Sequence, residues 1–331
     1  MKNVLFILFT SVLFAGCAKK NSDSFFPYEN NPLNDTTWVE QPSNAASVNR
    51  LAEVLTLAAK QDSLQVTTTT RIRFSEFLDI TFPADFCRFP NGGAVTGKVK
   101  VEVTHLRKNG DFIRFARPTT SYGRLLVSGG SFFIKVTKEG QDLVMDQTKS
   151  ITLHIRDASP VTAMRVFYGE TNLQLPLPAG TNPSFTWVPN TDSASTVNVV
   201  TRQDSLGIYR GYDLTSTRFK WVNCDYFVDS TQPKTRISAI LPANYTNTNT
   251  AVFAAFKDQK VVVQLYSDFA SRSFTAPNIP INKSIILVSI SKIGDDLFLA
   301  TKEVNVESNL RVNLTPEKKT KAQLDLFLDA L

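Results

Sequence analysis

Histidine is nearly missing: the 331 residues hold two, His105 and His154, alongside three cysteines, Cys17, Cys87 and Cys224. A catalytic histidine needs a nucleophile on one side and an orienting carboxylate on the other. No Gly-x-Ser-x-Gly elbow supplies that nucleophile, and Ser128-Gly129-Gly130-Ser131 reads as a turn ahead of a strand. No His-x-x-x-His or Cys-x-x-Cys pair is present to hold zinc. Asp295-Asp296 and the Asn109–Asp111 stretch are too short of oxygen ligands for a calcium loop and read as hairpin turns. Gly92-Gly93 lacks the Lys-Ser/Thr that completes a phosphate loop. A glycosidase needs two carboxylates across a cleft; Glu76 and Asp79 are near in sequence but read as solvated groups at a strand start. His105 falls in phase with Val99, Val101 and Val103, on a half-buried face. His154 is out of phase with Ile151, Leu153 and Ile155, which points it to solvent. The expectation is no catalytic residue, no metal and no cofactor.

Charge of one sign is not concentrated either. Lys and Arg number 36 against 30 Asp and Glu, a formal net charge of +6, and the basic residues are scattered without a Lys/Arg-rich block. Nucleic acid is therefore not an expected partner. Long apolar runs are also missing: Val4 to Phe14 is apolar except for Thr10 and Ser11, well short of the roughly 20 residues that span a membrane.

That short run follows Lys2 and ends in "VLFAGC", with "AKKNSDS" straight after. A basic start, a short apolar core and small residues before a cut site make a secretory signal. Phe14-Ala15-Gly16-Cys17 resembles the bacterial lipoprotein box, with Phe14 where Leu is usual. The resemblance implies that residues 1–16 are removed and that diacylglycerol is attached to Cys17. Two acyl chains anchor durably, since each buried methylene adds roughly 0.8 kcal/mol. Ala18, rather than Asp, favours the outer membrane by the same resemblance. Lys19 and Lys20 leave open whether the body faces the periplasm or the cell surface.

Residues 17–44 are rich in Asn, Ser, Asp, Thr and Pro and read as a tether. Val48, Leu51, Leu55 and Ala58 recur at helical spacing and predict a short helix within Ala45–Lys60. From Val66 onward the period is two, and Asn109-Gly110 before Phe112–Phe115 is a strong hairpin signal. Short strands with turn residues between them predict antiparallel sandwiches. Arg156-Asp157-Ala158-Ser159-Pro160 reads as the boundary between a module at 45–156 and a second one at 157–331. Thr246–Thr250 is a polar loop. Thr315-Pro316-Glu317 reads as a helix start, and Leu324, Phe327, Leu328 and Leu331 form one apolar stripe. The fold class expected is all-β: two antiparallel β-sandwich domains with a short N-terminal helix and a C-terminal amphipathic helix that covers the second sandwich.

"ITFPADFC", "GAVTGKVKVEV", "RPTTSYGRLLVSGGSFFIKVTKEGQDL" and "KSITLHI" occur in that order within residues 70–156. As a block they resemble a module of uncharacterised bacterial outer-membrane lipoproteins. That module is similar to the sandwich domain of ankyrins, netrin receptors and tight-junction scaffolds. Phe82-Pro83 matches the step that opens the module, and Ser128-Gly129-Gly130 the turn before a core strand. "WVNCDYF" and "VNLTPEKKTKAQLDLFLDAL" resemble the second half of the same lipoproteins. Some animal relatives cut their backbone at His-Phe-Ser; here His105 precedes Leu106 and His154 precedes Ile155, so that chemistry is not implied. The resemblance implies a fold and a location and no function.

Cys87 and Cys224 sit among aromatics, in "FCRF" and "WVNCDYF", and read as buried free thiols rather than a bridge. "FKWVNCDYF" has apolar residues on both strand faces and reads as core. Trp187, Tyr209 and Tyr212 lie in more polar, Gly/Pro-flanked sequence and are the candidate exposed aromatics for ligand contact. The functional expectation is a lipid-anchored cell-envelope protein with a binding or structural role, whose partners are the membrane through its lipid and a glycan or envelope protein. The alternatives are a glycan-binding surface module and, behind it, a carbohydrate-active hydrolase.

Overall fold

The computed structural model describes residues 31–171, 185–204, 207–228 and 231–331; Cys17 lies outside them. Residues up to Asp35 form a unit of their own, of which the described part is a 3-10 turn, Pro32–Asn34, capped by the Asn31 side chain. The compact body runs from Thr36 to Leu331. Strands hold 53% of the structure and helices 10%, so the fold is all-β and sandwich-like.

In chain order the first elements are α1 (Leu51–Leu55), β1 (Lys60–Gln65), β2 (Thr70–Ser75), β3 (Leu78–Phe82), β4 (Cys87–Arg88), β5 (Lys98–Leu106) and α2 (Asn109–Arg114). Then come β6 (Thr120–Ser121), β7 (Arg124–Lys138), β8 (Gln141–Asp142), β9 (Val144–Met145) and β10 (Ile151–Arg156). β11 (Arg165–Thr171), β12 (Phe185–Pro189), β13 (Thr196–Asp204), β14 (Gly207–Ser216) and β15 (Lys220–Phe227) complete the first sandwich. One of its sheets runs β1-β5-β7-β15-β11-β12, with β6 and β8 beside β7; the other runs β13-β14-β10-β3-β2. Period-two alternation puts Val99, Val101 and Val103 of the first sheet against Ile151, Leu153 and Ile155 of the second. Cys87 and Cys224 are free and buried in that same core. Burial pushes the Cys87 thiol up to about 12.

The expected boundary at 156–160 falls inside this sandwich. β10 pairs with β14, and β15 pairs with both β7 and β11, so strands on either side of Pro160 share both sheets. Asp157–Pro160 is a crossing from one sheet to the other, tied down by the Asp157 N–H donating to the Arg210 carbonyl. The pairing changes only after β15. Ser128-Gly129-Gly130 is likewise no turn: it lies inside the continuous β7, opposite a register shift at Cys224/Asp225.

β16 (Lys234–Ile240), β17 (Thr250–Phe256), β18 (Val262–Asp268), β19 (Ser273–Pro280), β20 (Ser284–Ile293), β21 (Asp296–Asn305), β22 (Leu310–Asn313) and β23 (Glu317–Lys319) form a second sheet system ordered β22-β16-β19-β18-β17-β20-β21-β23. Its interior holds Ile237, Val252, Phe274 and Leu287. Part of the expected tether docks here, because it carries apolar residues: Trp38 packs on Phe274 at 5.2 Å between ring centroids, and Val39 exchanges two hydrogen bonds with the Asn247 side chain.

The helices occupy the other face of β17, β20 and β21. Leu51 and Leu55 of α1, Phe112 and Ile113 of α2, and Leu324 and Leu328 of α3 (Lys321–Ala330) pack there with Phe253, Val288 and Leu299. α3 starts later than Pro316, because residues 317–319 pair with β21. Its N-cap is Thr320, which exchanges hydrogen bonds with Gln323. α1 is shorter than expected, preceded by a 3-10 turn at Ser47–Arg50, and it covers the second sandwich rather than leading the first.

Asn109-Gly110 opens α2 and is not a hairpin. Asp111 accepts the backbone N–H groups of Arg107 and Lys108 at 2.8 and 3.0 Å, capping the helix. The Asn109 amide donates to the Phe256 carbonyl at 2.8 Å. A Cβ on Gly110 would run into the Leu328 carbonyl. The glycine serves close approach of α3, not a positive φ.

Between the sandwiches lies a buried polar knot. Asn223 donates to Asp225 at 2.5 Å, Ser131 donates to Asn223 at 2.8 Å, and the Ser128 N–H donates to the Lys260 carbonyl at 3.0 Å. Burial pushes the Asp225 carboxyl up to about 8, against the opposing pull of Ser128, Asn223 and Lys260.

Leu328→Ala should cost about 2–5 kcal/mol, whereas Leu326→Ala, at a side chain 73% exposed, should stay within about 0.5. Equal urea midpoints for the two would show α3 undocked. Because Asp225 titrates higher folded than unfolded, its contribution to stability is full below about pH 4 and is lost as pH rises towards about 8. Asp225→Asn should therefore gain on the parent between pH 5 and pH 8; a constant difference would mean the carboxyl ionises normally.

Candidate ligand-binding face

The inner face of the β13-β14-β10-β3-β2 sheet is apolar, so strand alternation sends the intervening residues outward. β2 contributes Arg71 and Arg73; β3, Asp79 and Thr81; β10, His154 and Arg156; β14, Tyr209 and Asp213; β13, Arg202. Register brings these together: Arg73 faces Asp79, Arg71 faces Thr81, and His154 lies between Asp79 and Asp213.

Three guanidinium groups surround one carboxylate. Asp79 meets Arg71 at 2.6 Å, Arg73 at 2.9 Å and Arg156 at 3.5 Å. Burial alone would raise the Asp79 carboxyl, but hydrogen bonds from Arg73 and Arg71 and the charge of Arg156 outweigh it and hold it below the ordinary range. Asp213 is held low in the same way: hydrogen bonds from His154 and Arg202 overcome its burial. Tyr209 is half-buried. The Arg156 guanidinium lies 4.4 Å from its ring centre, and Arg71 donates to its hydroxyl at 3.4 Å.

The layering sets what an approaching molecule meets. The Asp79 and Asp213 side chains are 3% and 12% exposed, whereas Arg71, Arg73 and Arg202 are 41%, 37% and 44% exposed. Acids form the floor and guanidiniums the surface. Four arginines over two aspartates leave an excess of positive charge that faces solvent.

A chain of hydrogen bonds also crosses this face. His154 Nδ1 lies 2.8 Å from Asp213 Oδ1, and His154 Nε2 lies 2.9 Å from Thr81 Oγ1. Hydroxyl, imidazole and carboxylate are in the order that nucleophilic catalysis uses. An oxyanion hole needs free backbone donors, yet β3 is paired on both edges, with β2 and β10. The chain is well placed to orient its members.

The sequence-predicted residues divide sharply. Tyr209 sits on this face. Trp187 and Tyr212, expected to be exposed, are both fully buried: Trp187 donates to the Pro118 carbonyl at 3.1 Å, and the Tyr212 hydroxyl accepts the Val161 N–H at 2.7 Å. Polar neighbours in sequence do not expose a ring whose strand is covered on that side. His154, expected in solvent, is buried beneath the arginines. His105 stacks on Phe132 at 4.5 Å, and its buried ring nitrogens have no hydrogen-bond partner. Burial, reinforced by Arg107 and Lys260, pulls its pKa down to about 3. Asp79 belongs to the face, but Glu76 does not join it as a second carboxylate; its backbone carbonyl accepts from Arg156. The arginines and Asp213 were missed. Their signal is period-two arginine in "TRIRF" and Arg156 after "TLHI", which gains meaning only once the strand order is known.

A cleft of about 520 Å³ lies at the sandwich junction, and Arg107, Lys108, Lys257, Lys260, Asp157 and Asp258 line it. Most of its charges are already engaged. Lys257 pairs with Glu303, Asp258 with Lys283, Arg107 covers the Phe77 ring, and Lys108 donates to the Asp329 carbonyl. The sheet face is the stronger candidate, because its guanidiniums are set over buried acids on paired strands, whereas the basic residues of the cleft, Arg107, Lys108, Lys257 and Lys260, lie in connections between elements. In comparisons with known proteins, no family model matches the chain and no curated protein matches its sequence.

Asp79→Asn should destabilise the protein by about 1–3 kcal/mol, since it leaves three clustered cations without their shared acceptor. Asp79 titrates lower folded than unfolded, so its contribution is present above about pH 4 and is lost as pH falls through the folded value. Denaturant midpoints should therefore converge for parent and variant on acidification. Parallel curves would contradict the ion cluster.

Proposed function

We propose that the protein is a lipid-anchored cell-envelope binding protein, held at the outer membrane through Cys17, with ligand contact on the outer face of the five-stranded sheet. The observation that carries the binding role is the layering of that face: buried carboxylates hold exposed guanidiniums in fixed positions. Preorganised donors cost less ordering on binding than free side chains. Anchoring rests on the Phe14-Ala15-Gly16-Cys17 box. No helix among the described residues is long and apolar enough to cross a membrane.

Catalysis is the second reading, favoured by the Thr81–His154–Asp213 chain. It lacks a donor pair for an oxyanion, and its threonine sits mid-strand. The binding reading accounts for more of the face, because it uses the arginines and Tyr209 as well.

Cys17→Ser should remain an uncut precursor that takes up no labelled palmitate and leaves the membrane fraction on washing. Labelling of the variant as full as that of the parent would overturn the anchor. Hydrolysis of a chromogenic ester or glycoside that disappears in His154→Ala would favour the second reading.

A further inference from the structure

We propose that the ligand of this face is an acidic polysaccharide, a sugar chain bearing carboxylate or sulfate groups. The proposal rests on the reading of the face as the binding site and names its ligand class. Three features point to it.

The first is the sign and geometry of the accessible charge. The side chains of Arg71, Arg73 and Arg202 are 41%, 37% and 44% exposed, and each turns its Nε and Nη2 onto the covered acid beneath it. A guanidinium has a second donor edge, Nη1 with Nη2, whose paired, parallel donors suit carboxylate and sulfate oxygens. A neutral sugar would leave the excess charge unanswered.

The second is Tyr209. The Arg156 guanidinium covers one face of its half-buried ring and Arg71 donates to its hydroxyl, so the ring is held directly among the anion-binding groups. The C–H surface of a sugar ring matches the part of the ring that Arg156 leaves uncovered, while its acidic substituent reaches a neighbouring guanidinium. An inorganic anion would have no use for the ring.

The third is that the site is open and shared between strands. The groups come from all five strands of the sheet, and their side chains converge, with Arg71 at 3.4 Å from the Tyr209 hydroxyl. One acidic residue of a polymer meets several donors at once there, while the rest of the polymer continues across the open face. An anionic membrane is a poorer match: strand alternation turns the exposed Ile208 and Val199 of the β13–β14 hairpin away from the arginines, and among the described residues the charged face itself adds to Tyr209 the half-buried Val200. Duplex DNA is also poorer: its phosphates are met by many separate cationic contacts along the backbone, whereas here the arginines converge on one cluster around Asp79 and Tyr209.

The test uses the full-length protein in a neutral detergent, with binding read by interferometry on immobilised polygalacturonate, chondroitin sulfate, dextran and duplex DNA, and on nanodiscs containing phosphatidylglycerol. The parent should bind polygalacturonate or chondroitin sulfate, release it as salt is raised, and ignore dextran. Carboxylate and sulfate recognition are separated by which acidic polymer is preferred. Arg71→Gln combined with Arg202→Gln should weaken that binding at least about 10-fold, about 1.4 kcal/mol or more. Tyr209→Ala should weaken it several-fold with little change in salt dependence. Lys234→Gln with Lys302→Gln, exposed on the second sandwich, makes the same net charge change and should bind as the parent does. Melting temperatures within a few degrees of the parent separate lost binding from lost folding. Equal binding to dextran, or arginine-dependent binding to DNA or nanodiscs alone, would overturn the ligand class and leave the face as a binding site. Binding unchanged in the arginine and tyrosine variants, or no binding to any probe, would overturn both.

Discussion

Arg114 is completely buried, and three helices meet at its guanidinium. It donates to the Leu55 carbonyl at the end of α1, to Asp325 and Asp329 on α3, and to the Asp325 carbonyl. A cation removed from water costs several kcal/mol unless its geometry and partners offset that; here two carboxylates and two carbonyls do so. The ion cluster fixes the helix positions, while the apolar side chains around it supply most of the cohesion. Phe112, Ile113, Leu324 and Leu328 form one layer with the outer surface of β17, β20 and β21. α2 follows directly from β5 of the first sandwich, so anything that holds α2 on the second sandwich holds the two together. The Thr119 N–H donates to the Val262 carbonyl, and the Val262 N–H donates to the Thr119 hydroxyl. These bonds extend the junction.

That junction determines which sheet face is free to bind. The β1-β5-β7-β15-β11-β12 sheet is covered on both sides through β15, β11 and β12, by the first core and by the aromatic and helical layers that include Trp187, Phe185, Trp221 and Phe112, while β1 and the start of β5 keep their outer face in solvent. The β13-β14-β10-β3-β2 sheet is covered on one side and meets solvent through its arginines on the other. The same alternation has opposite consequences in the two sheets. Where both faces are buried, an outward Trp becomes core. Where one face is wet, outward Arg, Asp and His assemble into a charged surface.

Much of the fold was legible in the sequence because it depends on local period. Val99–Val103 and Ile151–Ile155 alternate and are strands; Leu324 and Leu328 share a stripe and are buried. What escaped depends on contacts between residues far apart in the chain. Asn109-Gly110 has the composition of a hairpin, yet Asp111 caps a helix there and the Leu328 backbone leaves no room beside Gly110 for a Cβ. The crossing at Asp157–Pro160 has the composition of a linker, yet β14 and β15 return to sheets begun before it. His154 has the phase of an exposed residue and does face outward, but Arg202 and its neighbours roof it over. Tyr209 was found from its surroundings; Trp187 and Tyr212 were misplaced by the same reasoning.

The buried groups of the charged face act as its framework. Arginine side chains lose roughly 0.5–1.5 kcal/mol each when immobilised at an interface, a cost that falls on binding when they start free. Here Asp79 already orders Arg71, Arg73 and Arg156, and Asp213 orders Arg202. Asp213 is itself steadied by His154, whose other nitrogen is tied to Thr81. The Thr81–His154–Asp213 chain thus bridges β3, β10 and β14 beneath the arginines and resists shear between those strands. Its order imitates a catalytic relay, but its position suits a brace. Lysines in place of the arginines would keep the charge and lose the paired donors, and exposed carboxylates in place of the buried ones would cancel the charge. The function proposed for the face requires both features together: acids deep enough to be hidden and guanidiniums long enough to reach past them into solvent.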